Sequence, residues 1–214
     1  MTDSNQSSQE RSNDAEITLN LLSAVEQKSN HTQRSIANET GIALGLANAY
    51  IKRCIKKGWI KATQIPANRY AYYLTPKGFA EKSRLTSNYL SSSFDFFRSA
   101  RSQCSSAYSS CENNRWRRIA LAGASDLAEI AVLCSHDYSI ELIGIVDPSI
   151  NRSTFAGVSA SNMLKEFGTV DAVLVTELKE PQQAFDTLAA LMPAERILTP
   201  TLLKISRKKP KLVG

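Results

Sequence analysis

Ala47, Tyr50, Ile51 and Cys54 stand at i, i+3, i+4 and i+7, so a helix over about 43–57 has one apolar stripe to bury. Its opposite face carries Leu44, Gly45, Asn48, Ala49, Lys52 and Lys56, with Arg53 at the edge. A second helix is predicted just before it over 32–40, with Gly41-Ile42 as the turn between them. Ile17, Leu21, Leu22 and Val25 give an earlier helix its own apolar face. Downstream, Gly58-Trp59-Ile60-Lys61 leads into a hairpin: a strand over 60–63, a loop from Gln64 to Asn68 and a return strand over 69–74. Tyr70, Tyr72 and Leu74 alternate to one face of that return strand, as a half-buried strand requires. Three short helices followed by a hairpin spell a helix-turn-helix with a wing.

The charge on this scaffold has one sign. Between Glu39 and Glu81 lie seven Lys and Arg and no Asp or Glu. Such a field suits a polyanion, because each neutralised phosphate releases counterions. Double-stranded DNA is therefore the expected partner. Lys52, Arg53 and Lys56 are expected on phosphates or bases. Asn48 is the uncharged polar side chain on that face able to pair bidentately with adenine. Leu44 and Gly45 sit at the start of the same face, and small Gly45 and Ala49 let the helix enter a major groove deeply. Thr32, Gln33 and Arg34 at the start of the second helix, and Asn68 and Arg69 at the hairpin tip, complete the DNA-facing set. Arg69 is placed to reach a phosphate or a minor groove.

The 214 residues suffice for one large or two small domains, and charge divides them. Through Arg118 there are 17 basic and 9 acidic residues; from Ile119 onward there are 9 basic and 11 acidic, four of the basics within Arg207–Lys211. Opposite fields on two domains imply two different partners. The polar stretch 1–14 is expected as a disordered tail and 206–214 as a basic one. No apolar run is long enough to span a bilayer and no signal-peptide core is present, so a cytoplasmic protein with no membrane partner is expected. Four Cys without metal spacing suit a reducing compartment, and His31 and His136 are too scattered for a metal site.

On the segments "QRSIANETGI", "IKRCIKKGWIK" and "RYAYYLTPKGFAEKSRL", residues 17–84 resemble a MarR-type winged helix. The last segment is similar to regulators encoded near bacterial exopolysaccharide loci. The resemblance implies a dimeric transcription factor without catalytic activity. Leu44-Gly45 departs from it, since relatives carry polar residues there.

Thr75-Pro76 opens a further helix, with Thr as N-cap and Pro at the first position. Along it Leu90, Phe94, Phe97, Arg101, Cys104, Tyr108 and Cys111 are spaced 4-3-4-3-4-3, a heptad seam. Pairing along this seam would make a homodimer; the alternative is packing on the C-terminal domain. Arg101 and the many serines weaken a long coiled coil, and the chain beyond Ser105 reads as a linker. Cys104 and Cys111 would face their twins in such a dimer, although a small core thiol is the commoner role.

From residue 117 the chain alternates strands and helices: a strand over 117–122, the turn Gly123-Ala124-Ser125, a helix to about His136 and a strand over 141–146 ending in Asp147. A strand over 170–176, a helix over about 181–191 and a strand over 196–198 follow. This is the βαβ pattern of a parallel sandwich, with an acid after the second strand as in dinucleotide folds. The glycine motif is imperfect: Ser125 replaces a glycine, and Asp126 and Glu129 would repel a phosphate held at the helix start. "RIALAGASDLAEIAVLC", "ELIGIVDP", "FAGVSA" and "VDAVLVT" are similar to the small Rossmann-like domain that precedes bacterial sugar acetyltransferases and binds nucleotide sugars. CoA-binding and Rex-type redox-repressor domains are more distant likenesses. The resemblance implies that Gly123, Ala124 and Ser125 form a phosphate turn and Asp147 a ribose acid. Pro148 and Thr176 would lie on the same carboxyl edge.

The fold class expected is thus α/β in two domains. A winged helix over 15–84 leads into a connecting and dimerisation helix over 75–112, and a Rossmann-like parallel sheet over 116–205 carries helices on both faces. No Ser with a His partner and no activated Lys or Cys motif supports catalysis. The expected function is transcription regulation by DNA binding under a small nucleotide-type effector, a nucleotide sugar foremost, with no cofactor fixed. The alternatives are an NADH/NAD-sensing redox repressor and a ligand-free architectural DNA-binding protein.

Overall fold

The computed structural model describes residues 3–27, 32–65 and 69–207, and the chain divides into two compact units, 1–93 and 94–214. In the first unit, α1 (Asp3–Gln27), α2 (Gln33–Thr40) and α3 (Leu44–Lys56) precede the hairpin β1 (Ile60–Ile65) and β2 (Arg69–Leu74). α4 (Pro76–Asn113) begins in this unit and ends in the second. Thr32 caps α2 by accepting the Ser35 N–H at 3.1 Å, and Gly41 ends it in the left-handed region at φ +66. Leu21, Leu22 and Val25 of α1 meet Ile36, Ile51, Cys54, Trp59, Ile60, Tyr72 and Leu85 in one core. Thr75 caps α4, accepting the Gly78 N–H at 3.0 Å and donating to Gly58 O at 2.6 Å. Wing and helix are thereby tied at the base of the hairpin.

Two expectations need correction here. Residues 3–14, expected in a disordered tail, are the first turns of α1. Polarity suggested a tail, but the segment holds no Gly or Pro, the two residues most costly inside a helix. The return strand does not alternate as expected either. Tyr72 is buried, but Tyr70 is half exposed and the small Ala71 on the other face is buried.

The second unit is built on a six-stranded sheet. Its strands are β3 (Arg118–Ala122), β4 (Glu141–Val146), β5 (Thr154–Phe155), β6 (Val158–Ser161), β7 (Ala172–Val175) and β8 (Ile197–Leu198). They lie in the order β5-β6-β4-β3-β7-β8, parallel throughout except for the antiparallel β5–β6 hairpin at one edge. α5 (Asp126–Ser135) links β3 to β4 on one side, and α6 (Pro181–Ala189) links β7 to β8 on the other. Right-handed crossovers in opposite directions put these helices on opposite faces of the sheet. β3 and β7 are almost wholly apolar and buried, as strands covered on both faces must be. The β5–β6 hairpin was not expected as strands; its turn, Ala156-Gly157, has φ +48 and +82.

The end of α4 corrects the linker expectation and divides the heptad seam. Helix continues to Asn113, and Ala100, Cys104, Tyr108 and Cys111 are fully buried in the core of the second unit. Tyr108 donates its hydroxyl to Ala131 O at 3.0 Å. Cys104 and Cys111 therefore do not face a twin, and burial pushes both thiols up to about 12, away from thiolate chemistry. Leu90, Phe94 and Phe97 remain exposed.

Candidate nucleic-acid interface and ligand edge

α3 separates its faces cleanly. Ala47, Ile51 and Cys54 are at most 1% exposed, whereas Leu44, Gly45, Ala49, Lys52 and Lys56 all face solvent. Asn48 is half-buried on that side, with Oδ1 turned inward and without a partner among the described residues. Two apolar side chains, Leu46 and Ile55, are exposed on the same helix and were not singled out from the sequence. They interrupt no stripe, so periodicity gives no signal for them.

The cations of this segment fall into two pairs. Lys52 and Lys56 point outward. Arg53, expected among the DNA contacts, instead forms a two-pronged ion pair with Asp14, Nη1 to Oδ1 at 2.8 Å and Nη2 to Oδ2 at 2.9 Å. The hydrogen bond from Arg53, with Tyr50 adding a second, holds the Asp14 carboxyl below its ordinary range against the opposing effect of burial. Lys57 is engaged as well, its Nζ lying 4.4 Å from the centre of the Trp59 ring. Of the remaining DNA-facing candidates, Thr32 is the exposed cap of α2 and Arg34 is exposed. Gln33 turns inward, donating Nε2 to the Tyr72 hydroxyl at 3.0 Å, which braces α2 against the wing. Asn68 lies outside the described residues, as do the side chain of Arg69 and residues 208–214 of the basic tail.

In the second unit the residues expected to hold a ligand do come together, but they bond to one another. Gly123 has φ +105, and a Cβ there would lie 2.5 Å from the Glu177 backbone, so only glycine fits between β3 and the end of β7. Thr176, fully buried, donates its hydroxyl to Gly123 O at 2.7 Å. Ser125 donates to Thr176 O at 2.5 Å and accepts the Leu127 and Ala128 N–H groups at 3.2 and 3.4 Å. The amides at the start of α5 that would cradle a phosphate are thus capped from within. Asp147 accepts the Ala124 N–H at 2.9 Å and both the N–H and hydroxyl of Ser149, at 2.8 and 2.7 Å. Burial pushes its carboxyl up, but these bonds and nearby Lys179 outweigh burial and hold it below the ordinary value. Pro148 is exposed beside it. Among the described residues no group of three or more His, Cys, Asp and Glu could hold a metal ion, and no helix is long and apolar enough to cross a membrane.

A family profile described as "Winged helix-turn-helix DNA-binding" matches residues 14–61. That segment runs from the Asp14 clamp through α2 and α3 into the first strand of the wing. Residues 14–61 are a winged helix-turn-helix DNA-binding domain. No curated protein matches the chain. Among solved structures, MepR, a transcription regulator of the Staphylococcus aureus multidrug efflux pump MepA, is similar over 43% of this chain and 77% of its own. The identity is 16% and the TM-score 0.35, a likeness that carries no inference about function.

Proposed function

We propose that the protein is a transcription regulator that binds double-stranded DNA through α3 and the wing, as a homodimer, and answers through its second unit to a nucleotide-type metabolite, a nucleotide sugar foremost. The observation that carries the DNA reading is the outward pair Lys52 and Lys56 beside Asn48, on a helix whose reverse side is packed. Titration of a labelled duplex from upstream of the protein's own gene tests it. Saturable binding that weakens steeply with salt is expected, and affinity no better than for a random duplex would count against a specific regulator.

The dimer is supported by Phe94 and Phe97 of α4, 57% and 41% exposed, which leaves two aromatic rings of one helix in water. Because both are exposed in the single chain, Phe94→Asp with Phe97→Asp should leave the fold intact. In a dimer the same carboxylates would be buried unpaired. Sedimentation of the double variant is expected to give a monomer where the parent gives a dimer; a dimeric variant would place the interface elsewhere.

Effector control is supported by the strand order. β6-β4-β3-β7-β8 follows the 3-2-1-4-5 order of a doubly wound sheet, whose ligands sit at the carboxyl edge where the order reverses. The closed bonding of Asp147, Ser125 and Thr176 favours a second reading, a scaffold without ligand. Calorimetric titration with UDP- and GDP-sugars, NADH, NAD and CoA separates the two. Binding of a nucleotide sugar tighter than about 1 mM, roughly −4 kcal/mol, is expected of a sensor; no binding by any of the panel would leave the scaffold reading.

A further inference from the structure

Arg53 shares α3 with Lys52 and Lys56, yet both of its terminal nitrogens are already bonded, and Nε is buried without a partner among the described residues. Besides the two bonds to Asp14, Nη2 reaches Thr18 Oγ1 at 2.9 Å. The Tyr50 ring lies 4.4 Å from Cζ, and the Tyr50 hydroxyl donates to the same Asp14 Oδ1 at 2.7 Å. Two parallel N–H···O bonds to a carboxylate reproduce the fork by which arginine grips a phosphate. We infer that Asp14 is an internal stand-in for a DNA phosphate: it withholds Arg53 from nucleic acid and so sets how many phosphates the α3 surface neutralises.

The pair is open to exchange. Its side chains are 37% and 45% exposed, and ion pairs at that exposure contribute little to stability. Removing the carboxylate therefore changes what Arg53 bonds more than whether the domain folds. α1 acts here through another residue, with Asp14 as a positioning group that touches no DNA. The inference rests on the DNA-binding reading above, and its test must fail separately from that reading.

The test is the salt dependence of duplex binding by the full chain, read as the slope of log K against log salt concentration. Asp14→Asn is expected to tighten binding and steepen the slope by about 0.9, the worth of one added phosphate contact. The double variant Asp14→Asn with Arg53→Gln should lose that gain, and Arg53→Gln alone should leave the parent slope unchanged. Glu16→Gln removes a charge from an exposed position of the same helix and should not steepen the slope. A parent slope that flattens by about 0.9 with Arg53→Gln would show that Arg53 already holds a phosphate and would overturn the inference. So would a gain with Glu16→Gln equal to that with Asp14→Asn, or no gain with a folded Asp14→Asn. If Asp14→Asn fails to fold, the Arg53→Gln slope still decides, an unchanged slope supporting the inference and a flattened one overturning it. Lys52→Gln is the reference: if it too leaves the slope unchanged, the α3 surface is not the DNA surface, and the inference falls together with that reading.

Discussion

Reversing Lys52 and Lys56 to Glu should abolish measurable DNA binding at moderate salt while the protein melts as before. Both ammonium groups face solvent on α3, with no ion pair to break among the described residues, so little of the packing goes with them. Two charge-assisted contacts at about 1.5–3 kcal/mol each amount to at least a roughly 100-fold loss, before the repulsion of the new carboxylates is added. Arg53→Glu is not an equivalent change. It would set a carboxylate against Asp14, so any loss of binding would be confounded with a shifted α3. Anisotropy with a labelled duplex, beside a thermal melt of each variant, separates the two. Affinity for DNA within a few-fold of the parent would remove α3 from the interface.

The contrast between Lys52 and Arg53 marks where sequence reading stops. The apolar spacing of Ala47, Ile51 and Cys54 placed the buried side of α3, because a helix repeats its faces through local geometry. The Thr32 cap and the Gly41 turn were legible for the same reason, each being decided within a few residues. Arg53 has its partner 39 positions earlier in the chain, in a segment whose polarity suggested a tail. No local pattern links two such charges; only the packing of α1 on α3 does.

The second half of α4 posed a different ambiguity. Residues spaced 4-3-4-3 present one stripe, and that stripe looks the same whether a second copy or the chain's own sheet covers it. Cys104, Tyr108 and Cys111 pack on their own unit. Gly123, Ser125, Asp147 and Thr176 do gather at one edge of the sheet, where their bonds go to groups of the chain itself. What residue types cannot convey is whether such groups face a ligand or one another, since the same Asp accepts a ribose hydroxyl or a backbone amide equally well.

Gly123→Ala should destabilise the second unit by roughly 3 kcal/mol or more. Two effects add at this position. The residue sits at φ +105, where a side chain is strained whatever the space. Its Cβ would also lie 2.5 Å from Cα and N of Glu177, both backbone atoms at the end of a buried strand. Those atoms cannot swing away as a flexible side chain would. Moving them would stretch the bonds from Thr176 and Ser125 that close the sheet edge. Gly157 supplies the contrast: it has φ +82, but a Cβ there would meet nothing within 4 Å. Gly157→Ala should therefore cost only the backbone strain, about 1 kcal/mol or a little more. The difference between the two variants isolates the close approach of β3 to β7. In a thermal melt followed by near-ultraviolet dichroism in a Trp59→Phe background, which leaves Trp116 as the tryptophan signal, Gly123→Ala should fall by about 10 °C or more and Gly157→Ala by far less. A Gly123→Ala protein melting with the parent would mean that β7 yields at little cost. The switch point would then be a soft seam able to open for a ligand, not a fixed joint.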